Sequence, residues 1–268
     1  MPVEAPQSSK EVAGGQRGAL RGSLLAGSAS FVSWKAVTGA LAVGASLLLY
    51  RILGPEQAGR LQFALALAMT LGAVAGLGFY ETLARFVPER GAEAGAGLFR
   101  RALRWNLLAL AAGVLVFAGL WAAGRGLPSE LRATAPYFLL FTAAYTIYST
   151  ALGMVRGGGR LAAIPRLDMG ANFGAKLAAV GVVAVLPGFV PAFAAHAMVQ
   201  VVMVAVVLWL LRAALRAPEA RFHREESRFG ALVLIGMVLQ VLIGTVDLYV
   251  LRATLGPQEV GIFAAGYR

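Results

Sequence analysis

The sequence contains no cysteine, which excludes disulfide frameworks, thiolate catalysis and Cys-ligated zinc in one step. Charge is also scarce: 14% of the 268 residues are Asp, Glu, Lys or Arg, where a soluble chain carries about 25%. Histidine is limited to His196 and His223, with no ligand-like spacing between them, so neither a metal nor a cofactor is expected. The roughly ten-residue stretches of alternating polarity that build transmembrane β-strands do not recur. Acidic residues are few, 13 against 24 Lys and Arg.

What is abundant is apolar. Fifty-nine per cent of residues are hydrophobic and the mean hydropathy is +0.72. They gather into runs of roughly 20, enough to cross a ~30 Å hydrocarbon core at 1.5 Å per residue. Candidate spans are 24–50, 61–84, 105–124, 134–155, 167–187, 189–211 and 230–251, and an eighth helix opens before Arg268. The fold class is therefore an all-α polytopic membrane protein. Residues 1–22, with Pro2, Pro6, Ser8 and Ser9, read as a short disordered tail; the apolar run that follows is too long for a cleavable signal peptide.

The basic residues set an orientation. Sixteen fall on one side of this span pattern: Lys10, Arg17 and Arg21 in the tail; Arg85, Arg90, Arg100, Arg101 and Arg104; Arg156, Arg160 and Arg166; and Arg212, Arg216, Arg221, Arg224 and Arg228. Only Arg51, Arg60, Arg125, Arg132 and Arg252 fall on the other. By the positive-inside rule the first set is cytoplasmic, with the N-terminus inside, as in a multi-pass protein of the cytoplasmic (inner) membrane. Insertion and anionic headgroups then account for most of the net charge of +11, and no nucleic-acid partner is needed.

One motif occurs twice. Leu53-Gly54-Pro55-Glu56-Gln57-Ala58-Gly59 returns as Leu255-Gly256-Pro257-Gln258-Glu259-Val260-Gly261, 202 residues later. Each copy follows an odd-numbered span. Gly-Pro stops one helix, and the later glycine is expected to let the chain turn into the next. A separation of six helices preserves orientation, which suggests two parallel six-helix repeats. The expected division is a cytoplasmic tail (1–22), an N-terminal six-helix lobe (23–211), a cytoplasmic linker (212–229) and the start of a second lobe (230–268). On this logic the sequence stops early, as a fragment or truncated reading frame would.

Polar residues inside the spans are the candidate site. Lys35 and Lys176 lie near the middle of the first and fifth spans, where a charge costs about 2.5–3.5 kcal/mol on insertion scales. Both should face a water-filled cavity or a partner. Asp168, Asn172 and Lys176 are spaced i, i+4, i+8, on one helix face. Ser28, Lys35, Gly39, Ala42 and Ser46 form a small, partly polar stripe, as do Thr142, Tyr145 and Ser149, and Gln240, Gly244 and Asp247. Four such faces can line one cavity; a structural ion pair or interhelical hydrogen bonds are the blander alternative. Glu81 and Arg85, at i, i+4, read equally well as an interfacial ion pair. Glu81 and Asp247 are the candidates for ion coupling. His196 and Gln200 share a face and read as packing residues, although a proton relay is the other option. Trp105, Trp121 and Trp209 lie towards span ends as interfacial belts do, and Trp34 lies deeper.

No catalytic centre emerges, and the chain is not expected to be an enzyme. The outer connections are short and carry no Asp or His apart from Asp247. Gly157-Gly158-Gly159 lacks the Lys-Ser/Thr pair of a phosphate-cradling P-loop.

Three stretches, taken in order, carry a family resemblance. They are Arg51-Ile52-Leu53-Gly54-Pro55-Glu56-Gln57-Ala58-Gly59; Gly76-Leu77-Gly78 followed by Leu83-Ala84-Arg85-Phe86-Val87-Pro88-Glu89; and Arg156-Gly157-Gly158-Gly159-Arg160 with Lys176 beyond. With the region from Asp247 to Gly261, they resemble the polysaccharide-biosynthesis membrane proteins, or O-antigen flippases, of the multidrug/oligosaccharidyl-lipid/polysaccharide transporter superfamily. The resemblance implies a V-shaped pair of six-helix lobes around a central cavity. It implies a lipid-linked (pyrophosphate) oligosaccharide as partner, turned between leaflets for lipopolysaccharide or another surface polysaccharide. It also makes Lys35 and Lys176, with Arg85, the candidates for the pyrophosphate. Three other readings stand beside it: a drug or cation antiporter, whose cavity should be acidic; a membrane glycosyltransferase, which needs a catalytic outer loop; and a non-transporting assembly subunit.

Overall fold

A computed structural model describes the backbone of residues 8–123 and 128–267 and, within them, the side chains of residues 33–34, 36–123, 128 and 130–265. Lys35 and Ser28 therefore have no described side chain, and Arg125 lies outside the described residues, as do residues 1–7. Among the described residues all regular structure is helical, as expected for an all-α polytopic membrane protein.

Helix α1 runs Ser8–Ala75 and is broken at Gly54 (φ 75°, ψ 166°). It begins within the stretch read as a disordered tail: residues 8–22 hold no proline, and Pro6 is the last one before the helix. Pro55 opens the second arm, where a missing N–H costs nothing because first-turn donors have no intrahelical partner. Among the described residues six stretches are long and apolar enough to span a bilayer: Ala36–Ala75, Ala92–Ala122, Glu130–Gly157, Leu161–Val185, Phe189–Leu210 and Arg224–Thr254. The first holds 40 residues, about twice what one crossing needs, so the break at Gly54 divides it into two arms of bilayer length. Leu49 before the break and Leu61 after it join one core.

The second arm ends at Gly76-Leu77-Gly78, where Leu77 (φ 51°) and Gly78 (φ 71°) take left-handed conformations. The expected span 61–84 is thus interrupted, and the chain restarts as a short amphipathic helix, α2 (Phe79–Arg90), burying Thr82, Leu83, Phe86 and Val87. Helix α3 (Ala92–Ala122) starts well before its expected span. Helices α4 (Ser129–Gly157), α5 (Ile164–Val185), α6 (Phe189–Leu210) and α7 (Arg224–Thr254) fall where the apolar runs place them, and α8 (Pro257–Tyr267) follows.

Helix α4 is the central post. Lipid is as apolar as leucine, so helices associate here through close packing and interhelical hydrogen bonds. Gly153 and Gly157, one turn apart on α4, bring the backbone of α2 close: a Cβ on either would crowd the carbonyl oxygens of Tyr80 and Leu83 respectively. Phe138 of α4 stacks on Phe193 of α6 with ring centres 6.4 Å apart. Asn106 of α3 donates from Nδ2 to the hydroxyl of Thr150 at 2.6 Å.

The connections sort to two ends. Arg90 meets Glu226 at 2.8 Å, Arg156 meets Glu81 at 3.3 Å, and Arg100 donates to the carbonyl of Ala217 at 2.7 Å. These contacts join three Arg-rich connections at one end. At the other, the amide of Phe189 donates to Gln57 at 3.3 Å, and Arg252 grips Glu130 at 2.5 Å. The linker 212–229 is docked rather than loose. Arg104 lies 3.6 Å from Glu219, Phe222 stacks on Phe79, and the backbone N–H of His223 donates to Glu226 at 2.6 Å to open α7.

Candidate functional site

A cavity of about 810 Å³ lies between α1, α4, α5, α6, α7 and α8, with Tyr80 of α2 at its margin. Its polar wall follows from the helix period. Asp168, Asn172 and Lys176 lie successive turns apart on α5 and all line it, as their i, i+4, i+8 spacing predicts. Helix α5 buries Ala171, Ala175 and Ala179; the first two also line the cavity beside this polar stripe.

Among the described lining residues, Asp168 and Lys176 are the charged ones. Lys176 is half-buried, and its Nζ donates to the carbonyl oxygen of Ala42, 3.2 Å away on the first arm of α1. That carbonyl also accepts from the Ser46 hydroxyl at 2.8 Å. The ammonium thus ties α5 to α1 while remaining on the cavity wall.

The other expected faces arrive in part. Tyr145 and Ser149 of α4, Ser46 of α1, and Gln240 and Gly244 of α7 line the cavity. Thr142 does not; its buried hydroxyl donates to the Phe138 carbonyl at 2.8 Å within α4. Asp247 is exposed and lies away from the lining, near the end of α7.

Arg85 and Glu81 are placed differently from the expected i, i+4 pair. The Arg85 guanidinium sits 5.1 Å from the ring centre of Phe86 and 4.8 Å from that of Phe229. Two aromatic faces hold it outside the cavity. Glu81 instead meets Arg156, with Nη1 3.3 Å from each carboxylate oxygen and both side chains more than 40% exposed. Exposed pairs of this kind contribute about 0–1 kcal/mol.

The repeated motif is corrected at one point. Gly54 (φ 75°) and Gly256 (φ 139°) do make the turns. Gly59 and Gly261 do not: both lie within helices. They are small because the two copies lie against each other. A Cβ on Gly59 would overlap the carbonyl oxygen of Pro257, and a Cβ on Gly261 would overlap that of Pro55.

Several lining residues were not singled out from sequence: Tyr50, Gln62, Tyr80 and Tyr148. The usable signal was polarity inside a bilayer-length apolar run, at positions sharing a face. Tyr145, Tyr148, Ser149 and Leu152 occupy one side of α4, and all four line the cavity. His196 and Gln200, read as packing residues, are buried yet also reach the wall. His196 Nδ1 donates to the Ala192 carbonyl at 2.8 Å.

Residues 24–268 match the family model described as polysaccharide biosynthesis protein. The chain belongs to that family. Comparison with curated proteins and with solved structures gave no match. A member of the polysaccharide biosynthesis protein family with six bilayer-length apolar stretches is a multi-pass membrane protein that serves polysaccharide transport in general terms. In this member, polar side chains from α1, α4, α5, α6 and α7 line one cavity, and a cation and an anion from one face of α5 look into it.

Proposed function

We propose that this protein moves lipid-linked oligosaccharide precursors across the cytoplasmic membrane by alternating access. The observation that carries the reading is Lys176: an ammonium on a bilayer-spanning helix, on the wall of a cavity of about 810 Å³. A charge kept there against a cost of about 2.5–3.5 kcal/mol implies use. The use that fits a member of a polysaccharide family is attraction of an anionic pyrophosphate, while the lipid tail stays among acyl chains. Lys35, on the first arm of α1, is the second candidate cation. The Arg-rich end is cytoplasmic in this reading, so the precursor enters there and its sugar leaves at the end marked by Gly54 and Gly256. No covalent chemistry is required, so the protein acts as a transporter rather than as an enzyme.

A drug or cation antiporter is the second reading, and Asp168 on the same wall favours it. Lys176, two turns along the same helix, opposes it, since a like charge repels a cationic drug.

Surface glycan on cells carrying Lys176→Ala, or Lys35→Ala with Lys176→Ala, separates the two. Export should fall to background with normal amounts of protein in the membrane. Unchanged export in the double variant would remove the cationic site.

A further inference from the structure

We infer that Arg156 forms a loading site for a lipid-linked diphosphate at the Arg-rich mouth of this cavity, where Glu81 holds the anion position until the lipid arrives. The inference rests on the flippase reading and adds the step that precedes contact with Lys176.

The helix period puts Arg156 on the right face. Tyr145, Ser149 and Leu152 of α4 line the cavity, and Arg156 lies one turn beyond Leu152 on the same side of that helix. It belongs to the last turn of α4. The glycines on either side, Gly153 and Gly157, let α2 lie against α4: a Cβ on Gly153 would meet the carbonyl oxygen of Tyr80. Helix α2 thereby delivers Tyr80 and Glu81 beside the guanidinium. Tyr80 reaches the cavity margin, and the Arg156 Cζ lies 5.7 Å from the centre of its ring.

The guanidinium is accessible and only partly used. The Arg156 side chain is 44% exposed. Its Nη1 stands 3.3 Å from each Glu81 oxygen and 3.5 Å from the Tyr80 hydroxyl. Both carboxylate distances exceed the ~2.7–2.9 Å of a well-made charge-assisted hydrogen bond. Among the described residues, neither Nε nor Nη2 makes a hydrogen bond. Arginine carries its donors in a planar fork that fits phosphate oxygens two at a time, and most of this fork is uncommitted. Three other arginines at this end are engaged elsewhere: Arg90 with Glu226, Arg85 between Phe86 and Phe229, and Arg100 with the Ala217 carbonyl. An exposed and long ion pair contributes little, so a diphosphate, with more charge than one carboxylate, displaces Glu81. Free pyrophosphate shares that chemistry, but a mouth that opens on a cavity between bilayer-spanning helices favours the lipid.

The test uses the purified full chain in nanodiscs of neutral lipid, with polyprenyl pyrophosphate, polyprenol and inorganic pyrophosphate as probes. The parent should bind polyprenyl pyrophosphate most tightly. Arg156→Gln should weaken that binding about fivefold or more, and Arg156→Lys should keep part of it. Glu81→Gln should strengthen it, by up to about fivefold, because a competing carboxylate is gone. Adding Glu81→Gln to Arg156→Gln should bring no gain. Melting temperatures should stay near the parent's, as expected for an exposed pair; if Arg156→Gln melts early, the sign of the Glu81→Gln effect decides alone. A pair that only braces α2 against α4 predicts equal losses from both single variants. That result overturns the inference, as does unchanged affinity in both, or a gain from Glu81→Gln that persists without Arg156. Inorganic pyrophosphate bound as tightly as the lipid, and through Arg156, would overturn the lipid assignment. Lys176→Ala tests the flippase reading separately. If it abolishes lipid binding while the Arg156 and Glu81 variants match the parent, the mouth site falls and the cavity reading stands. If the parent binds polyprenol as tightly as its pyrophosphate, both fall.

Discussion

Gly59 and Gly261 meet reciprocally. The Cα of Gly59 lies under the carbonyl of Pro257, and the Cα of Gly261 lies under the carbonyl of Pro55. Each glycine therefore contacts the proline of the other copy of one sequence motif, which is the signature of a local two-fold relation between the two copies. Backbones packed this closely are usual where small residues mark helix crossings in membranes, with Cα–H donating weakly to carbonyl oxygen. The relation also joins α1 to α8 beside the Arg252–Glu130 contact, at the end opposite the Arg-rich connections.

Substitution at either glycine should separate the two copies. Gly59→Leu or Gly261→Leu forces a side chain into the other copy's backbone, and such overpacking costs about 1–3 kcal/mol and occasionally more. Gly113→Leu is the control, because a Cβ there meets nothing within 4 Å. Thermal unfolding in detergent should show a clear drop for the first two and little change for the third. Equal melting of all three would mean that the α1–α8 contact does not hold the fold.

The membrane class, the places of α4 to α7 and the shared face of Asp168, Asn172 and Lys176 were legible in the sequence, because each rests on periodicity or on apolar run length. What was not legible depends on partners distant in the chain. Arg85 has an acid four residues before it, yet two phenyl rings, one of them 144 residues away at Phe229, outcompete that exposed pair. Glu81 turns to Arg156 on α4 for the same reason. The role of Gly59 was misread because a glycine at a turn and a glycine at a helix crossing look alike in one sequence. Only the packing of the second copy distinguishes them. The cavity tyrosines were hidden in apolar runs, where a tyrosine also reads as an interfacial residue.

Glu130 offers a measure of electrostatic stability. Its side chain is 1% exposed and lies 2.5 Å from Arg252, whose ring neighbour is Phe63 at 5.9 Å. Removing Arg252 takes its cation from a carboxylate that stays buried, and breaking a buried pair in this way costs up to about 3–5 kcal/mol. Arg252→Met should therefore unfold at markedly lower temperature. Adding Glu130→Gln to it should recover much of the loss, since the buried negative charge that lost its Arg252 cation is gone. A double variant no more stable than Arg252→Met would show that the pair matters through shape and not charge.

Lys176 should tolerate a cation and nothing else. A charge-assisted hydrogen bond to phosphate contributes about 1.5–3 kcal/mol, or roughly 10- to 150-fold in affinity at 1.4 kcal/mol per tenfold. Lys176→Gln should weaken binding of polyprenyl pyrophosphate by that factor, measured with purified protein in nanodiscs. Lys176→Arg should retain most of it. Loss of the Ala42 contact alone, which both substitutions perturb, would weaken the two variants equally, so a difference between them isolates the charge.

Orientation can be read directly because the chain has no cysteine of its own. Glu89 and Glu225 are exposed at the Arg-rich end, and Arg132 and Leu186 are exposed at the other. Single cysteines at the first two should resist an impermeant maleimide in intact cells and react once the membrane is opened. Cysteines at Arg132 and Leu186 should react from outside. The physical basis is the asymmetry of the basic residues: sixteen of them fall in the tail and the three connections gathered at one end, and moving such a cluster across a membrane against its potential costs about 2.3 kcal/mol per charge per 100 mV. The opposite labelling pattern would place the Arg-rich end outside, reverse the direction in which the cavity receives its lipid, and leave the basic clusters in need of another partner.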